Sequence, residues 1–157
     1  MQPINTILNL DNVDVYQRNH LILKNVSFTI QKGEFVYLIG KTGSGKSSLL
    51  KTLYGDLKIK SGEGSIVGYN LKRLSEKEIP FLRRRIGIIF QDFQLLDDRT
   101  IYENLLFVMY ATAWKDKKKI NQRISEVMEL VKMSTKGHKY PHQLSGGEQQ
   151  RIVIARA

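Results

Sequence analysis

A glycine-rich loop between a predicted strand and a predicted helix constrains this fold more than any other feature. Residues 35–39 are a continuous apolar run, and residues 40–47 follow it with the sequence Gly-Lys-Thr-Gly-Ser-Gly-Lys-Ser. A strand, such a loop and a helix in this order are typical of a site that cradles phosphate groups. Glycines permit a close approach of the backbone, and N–H groups at the helix N-terminus point at the anion. The sequence therefore predicts a nucleoside triphosphate site beside a strand that is buried in a parallel sheet.

Each residue type in the loop has a chemical reason to be there. We expect Lys46 to reach the β- and γ-phosphates and the hydroxyl of Ser47 to bind Mg²⁺. The other loop residues are expected to line the phosphates: Gly40, Lys41, Thr42, Gly43, Ser44 and Gly45. A Gly/Ser-rich turn that matches by chance is the alternative, and the flanking strand and helix argue against it.

Composition narrows the class of protein. A chain of 157 residues with 41% hydrophobic residues can build the core of one domain, and the lack of Cys excludes disulfides and thiol catalysis. The net charge of +10 is concentrated at residues 83–85 and 115–123. No aromatic platform interleaves with these charges, which argues against nucleic acid and favours a solvated face, an anionic lipid surface or an acidic partner.

Periodicity and capping patterns predict the remaining elements. Strands are predicted at residues 6–15, 24–30, 65–67 and 86–90. Helices are predicted from 47 to 54, from a capping box at Ser75 towards Arg85, from a cap at Thr100 to about Ala111, and over residues 117–133.

A second helix start, near the end of the chain, also suits an anion. Ser145 and Glu148 form a capping-box pattern, and Gly146 and Gly147 between them leave the helix N-terminus open. A well-capped helix is the plain interpretation. Two such helix starts in one chain are, however, unusual for a simple P-loop kinase.

Together these motifs resemble the nucleotide-binding domain of ATP-binding cassette (ABC) transporters. The resemblance rests on Tyr16 before the second strand, the loop at 40–47, Gln91 after a strand, and Leu-Ser-Gly-Gly-Glu-Gln at 144–149. It implies an α/β fold of the P-loop NTPase class, an ABC-type cassette with a β-subdomain, a RecA-like core and a helical subdomain, C-terminally truncated. It also implies one domain over residues 1–157, with the helical subdomain at about 93–140.

The resemblance implies roles by position. Tyr16 would stack on adenine, and Gln91 would contact Mg²⁺ or the attacking water. Ser145 and Gly147 would bind the γ-phosphate of an ATP held by a second copy of the cassette, with Gly146 in the same cofactor-binding set. Two copies would thus close head to tail on two ATP molecules. Edge packing is the alternative for Tyr16, and an ordinary polar strand end is the alternative for Gln91.

Within this family, residues 90–104 resemble the bacterial cell-division ATP-binding subunits, with lipoprotein-releasing and macrolide-exporting ATPases as alternatives. The resemblance implies an integral membrane partner of the FtsX type, which the helical subdomain touches. It also implies a cytoplasmic location at the inner face of the bacterial cell membrane. A nucleic-acid-associated ABC protein, favoured only by charge, and a non-catalytic nucleotide-binding fragment stay open as other classes.

The chain stops at Ala157, inside the helix that is predicted to follow residues 144–149. In the resembled family the acidic Mg²⁺-binding strand, the catalytic glutamate and the switch histidine come later. The chain therefore holds no catalytic residue by motif, only Gln91 to position water or Mg²⁺. We expect these 157 residues alone to bind nucleotide weakly and to have negligible ATPase activity, and we expect their sheet to expose apolar edges.

Overall fold

The chain divides into two compact units in the computed structural model, which describes residues 5–157. The first unit extends to Ile86, and the second runs from Gly87 to Ala157. Within residues 5–157, every strand belongs to the first unit, and the three longest helices lie in the second, at Ile101–Ala111, Lys117–Leu130 and Gly146–Arg156.

The first unit is built on a four-stranded antiparallel sheet with the strand order β2-β1-β3-β4. Its strands are β1 (Thr6–Gln17), β2 (His20–Gln31), β3 (Ser61–Ile66) and β4 (Tyr69–Asn70). Leu10 of β1 lies opposite Phe28 of β2 on one side and Gly64 of β3 on the other. The two strands predicted at the start of the chain are thus confirmed, and both are longer than the alternation of apolar residues indicated.

The core of this unit forms where α1 (Lys46–Leu53) packs on the sheet. The buried apolar residues of β1 (Leu8, Leu10, Val13 and Val15) are at most 3% exposed, and Leu49 of α1 joins their cluster. Leu49 and Leu53 share one face of the helix because they are four residues apart. The short helix α2 (Ile79–Arg83) begins later than the predicted start at Ser75, has Pro80 in its first turn and buries Leu82 completely.

The two apolar runs predicted as strands of a parallel sheet form no strand, and this prediction was wrong for the described residues. In the first run Phe35 and Ile39 are 82% and 85% exposed. The second run, residues 86–90, also lacks regular structure. A strand is held by hydrogen bonds to a neighbouring strand, and every strand within residues 5–157 belongs to the antiparallel sheet. These apolar residues are therefore exposed on an unpaired segment, whereas we had expected exposure at the edge of a sheet.

The second unit contains α3 (Ile101–Ala111), α4 (Lys117–Leu130), a 3₁₀ turn (Pro141–Gln143) and α5 (Gly146–Arg156). Helix α3 begins at the predicted cap, Thr100, whose Oγ1 accepts from the N–H of Glu103 at 3.3 Å, and Glu103 completes a capping box. Helix α4 ends three residues before the predicted end, because Lys132 adopts a φ of +58° and turns Met133 back into the core. No helix among residues 5–157 has the length and apolar character needed to cross a bilayer.

Candidate nucleotide site

The glycine-rich loop at residues 40–47 wraps around the ammonium group of Lys46. Lys46 Nζ donates to the carbonyl oxygens of Gly40 and Lys41, each at 2.8 Å, and lies 3.5 Å from Ser44 Oγ. The N–H of Ser44 donates to the Lys41 carbonyl at 3.2 Å and closes the turn. Because Lys46 is also the first residue of α1, the loop combines a cation with a helix N-terminus. Such a loop can hold an anion such as phosphate.

Glycine is required at Gly45 for two reasons. Its φ of +88° is a left-handed conformation that side chains disfavour. A Cβ there would also lie 2.8 Å from Ile22 and 2.9 Å from Leu23, both in β2. Gly45 thus lets the N-terminus of α1 pack closely on β2, and this contact fixes where the loop stands on the sheet.

Tyr16 lies near the same part of β2. It pairs with Leu21 across the β1–β2 ladder, directly before the two residues that Gly45 contacts. Lys60 Nζ stands 4.9 Å from the centroid of the Tyr16 ring and donates to the carbonyl of Arg18 at 3.1 Å. The structure therefore brings Tyr16 and the start of α1 together through residues 21–23, with a cation over the half-buried ring.

The donor set around the loop fits Mg²⁺ of the kind that arrives with a nucleotide. Ser47 is the second residue of α1 and its side chain is exposed. Among residues 5–157 there is no group of three or more His, Cys, Asp or Glu side chains that could hold a metal ion by itself. Mg²⁺ commonly uses one or two protein oxygens together with phosphate oxygens and water, and a single hydroxyl at this place suits that mode.

The second helix start lies in the second unit and is capped as predicted. The N–H of Ser145 donates to Glu148 Oε2 at 2.9 Å, and the N–H of Glu148 donates to Ser145 Oγ at 3.3 Å. The backbone N–H of Ser145, then its hydroxyl and then Lys136 at 3.4 Å, hold the pKa of Glu148 below its ordinary value. Glu148 is therefore ionised at neutral pH, and this cap of α5 is intact.

The two glycines at the start of α5 have no role in packing of the chain itself. Gly146 and Gly147 are exposed, and a Cβ added to either would meet no atom within 4 Å. Glycine is less favourable than alanine in a helix by about 1 kcal/mol. The two glycines therefore lower the stability of the helix without a packing reason within the chain, and they keep its N-terminus accessible.

Gln91 is exposed in a turn of the second unit. The predicted site residues consequently fall into two sets. Tyr16 and the loop belong to the first unit, and Gln91 and residues 145–147 belong to the second. Sequence reasoning missed Lys60 above Tyr16, and it also missed Arg156, whose guanidinium contacts the turn after Gln91. Neither residue carries a local signal, because each contact joins residues more than 40 positions apart.

Comparison with known proteins adds independent findings. A family model described as ABC transporter matches residues 23–157. The cell division ATP-binding protein FtsE of Streptococcus pneumoniae serotype 2 (strain D39) is 42% identical over 147 residues, which are 94% of this chain and 64% of that protein. The methionine import ATP-binding protein MetN of Carboxydothermus hydrogenoformans is 43% identical over 151 residues, 96% of this chain and 44% of that protein. The chain thus covers less than two thirds of either relative.

A similar fold is present among solved structures. The dimeric, post-hydrolysis structure of the ATP-binding cassette MJ0796 bound to ADP and Pi superposes with a TM-score of 0.81 at 32% identity. The match covers 96% of this chain and 68% of that one.

Proposed function

Since this chain belongs to the ABC transporter family, we propose that it is the part of a cassette subunit that binds ATP and Mg²⁺. The observation that carries the proposal is the loop at 40–47, closed around Lys46 Nζ at the start of a helix. Lys46 would neutralise the β- and γ-phosphates, and the loop backbone would surround them. Tyr16 would stack on the base, and Ser47 and Gln91 would contact Mg²⁺. The metal would supply charge neutralisation for phosphoryl transfer.

We propose that the complete protein hydrolyses ATP and couples this to an integral membrane partner. The residues at about 93–140 would be the helical subdomain that meets this partner, with the protein peripheral on the inner face of the cell membrane. We also propose that the 157 residues alone hydrolyse little ATP, because no carboxylate among them matches the family's catalytic glutamate.

A role in bacterial cell division, with an FtsX-like partner, is our preferred assignment and is supported by the similarity to FtsE. The similarity to MetN supports a second candidate, the ATPase of a transporter. The membrane protein that co-purifies with the complete protein separates the two. We expect an FtsX-like protein with few transmembrane helices, and recovery of a transport permease would favour the second candidate.

We propose that two copies close head to tail on two ATP molecules, with Ser145, Gly146 and Gly147 of one copy on the γ-phosphate held by the other. Two observations support this proposal. The start of α5 is open, and the cassette MJ0796 is a dimer in the structure with ADP and Pi. Packing within the chain does not require glycine at position 146 or 147. The open space at these two residues is what a contact with a second molecule would need.

Replacing Ser145 by alanine tests this dimer. The variant loses a helix cap, which costs about 1 kcal/mol of stability, and it also loses a hydroxyl from the proposed phosphate contact. The matched control is Asp116→Ala, because Asp116 caps α4 in the same unit by accepting from the N–H groups of Lys118 and Lys119 at 2.9 and 3.3 Å. Both variants should lose similar stability in thermal unfolding.

Only Ser145→Ala should weaken dimerisation of the complete protein in the presence of a non-hydrolysable ATP analogue, measured by analytical ultracentrifugation. We expect the dimer dissociation constant to rise about a hundredfold, on the scale of two charge-assisted hydrogen bonds, because each of the two copies loses one. If both variants dimerise equally well, Ser145 caps α5 but does not contact the nucleotide of the second copy.

A further inference from the structure

Arg156, at the C-terminal end of α5, contacts the turn that follows Gln91. Its Nη2 donates to the carbonyl oxygen of Phe93 at 2.8 Å, and its Nη1 donates to that of Gln94. The guanidinium is half-buried. A planar guanidinium can satisfy two neighbouring acceptors at once, which a lysine ammonium cannot do in the same geometry.

The two carbonyls belong to a backbone conformation that needs support. Phe93 and Gln94 have φ values of +58° and +49°, in the left-handed region that residues other than glycine seldom adopt. The turn is closed by the N–H of Gln94, which donates to the Asp92 carbonyl at 2.6 Å. Two consecutive left-handed residues persist only where the surroundings hold them, and the two donors of Arg156 do so here.

The rest of the loop is fixed by one buried amide. The side chain of Asn104, 2% exposed, accepts from the N–H of Leu96 at 2.7 Å and donates to the carbonyls of Leu96 and Thr100, each at 3.0 Å. It also donates to the carbonyl of Arg99 at 3.2 Å. Residues 92–100 have no regular structure of their own, so these two side chains determine the path of the chain away from Gln91.

We propose that Arg156 is a positioning residue for Gln91, with Asn104 as its counterpart at the far side of the loop. By holding the turn at residues 92–94, Arg156 would fix the backbone from which the Gln91 side chain reaches water or Mg²⁺. The same helix begins at Gly146, so the positioning contact and the proposed phosphate contact belong to one rigid element. This inference rests on the proposed role of Gln91.

A double-mutant cycle in the complete protein tests the inference. Arg156→Lys keeps the charge but loses the two-carbonyl geometry. We expect kcat for ATP hydrolysis to fall about tenfold, with the Kd for a fluorescent ATP analogue changing less than about twofold. Combined with Gln91→Ala, it should cause no further loss, because the residue that it positions is gone. If the fold-losses in kcat from Arg156→Lys and Gln91→Ala multiply in the double variant, the inference is wrong and the proposed function is unaffected.

A rescue experiment separates positioning from general stability. Gln94→Gly, which adopts a positive φ without steric cost, should restore most of the kcat lost in Arg156→Lys, whereas Gln94→Ala should not. Arg73→Lys, at an exposed arginine of the first unit that has no proposed role, is the matched control and should leave kcat unchanged. If Arg156→Lys does not fold, Asn104→Ser replaces it in the cycle with the same expectation. If Gln91→Ala leaves the kcat for ATP hydrolysis unchanged, both this inference and the proposed role of Gln91 are wrong.

Discussion

Replacing Lys46 by alanine is expected to lower the ATPase rate of the complete protein about a hundredfold or more, the scale of removing one preorganised charge contact from a transition state. Nucleotide affinity should also fall, since the ammonium is the central cation of the loop. Its Nζ lies within 3.5 Å of three loop oxygens, which places it where bound phosphates would compete for it. Phosphate release and the binding of a fluorescent ATP analogue measure the two effects.

The matched control is Lys58→Ala, which removes the same charge from the same unit. Lys58 forms a surface ion pair with Glu76 at 3.6 Å, and both side chains are more than 70% exposed. Its loss should change neither measurement. An enzyme that retains its rate without Lys46 would contradict the proposed site.

In a polypeptide of these 157 residues alone, phosphate release should already be near background. Mg²⁺-dependent release from this polypeptide, abolished by Lys46→Ala, would contradict the proposal that it hydrolyses little ATP.

Local patterns predicted the features that depend on a few consecutive residues. The cap at Thr100, the capping box at Ser145 and the helix after the glycine-rich loop all formed where the sequence placed them. Each depends on hydrogen bonds between residues three or four positions apart, so the information is contained in a short window.

Features that depend on distant residues were not predictable in this way. The run at residues 35–39 has the composition of a buried strand, but a strand forms only where a neighbour pairs with it. The pairing of Arg156 with Phe93 joins residues 63 positions apart, and no motif in either segment indicates it. The end of α4 was misplaced because Met133 is apolar at helical spacing, yet it reaches the core by way of a left-handed Lys132.

Replacing Gly62 by alanine is expected to destabilise the protein strongly, and more than the same replacement at Gly68. Gly62 lies in β3 opposite an irregularity of β1, where the register shifts between Asp11 and Asp14. Its φ is +79°, and a Cβ would lie against the backbone carbonyl of Asn12 and 2.6 Å from that of Asp11. Backbone atoms of a central strand cannot move aside as a flexible side chain could, so the two strands must separate.

We expect Gly62→Ala to destabilise the protein by about 3 kcal/mol or more, from the left-handed conformation and the steric overlap together. Gly68→Ala isolates the first of these. Gly68 has a similar φ of +87° with nothing within 4 Å of its Cβ position, so that variant should lose only about 1 kcal/mol. Thermal or urea unfolding of the complete protein measures both. If both variants lose the same stability, β1 moves away from the new methyl group at little cost. A larger loss for Gly62→Ala would show that the close contact between β1 and β3 stabilises the sheet on which α1 packs.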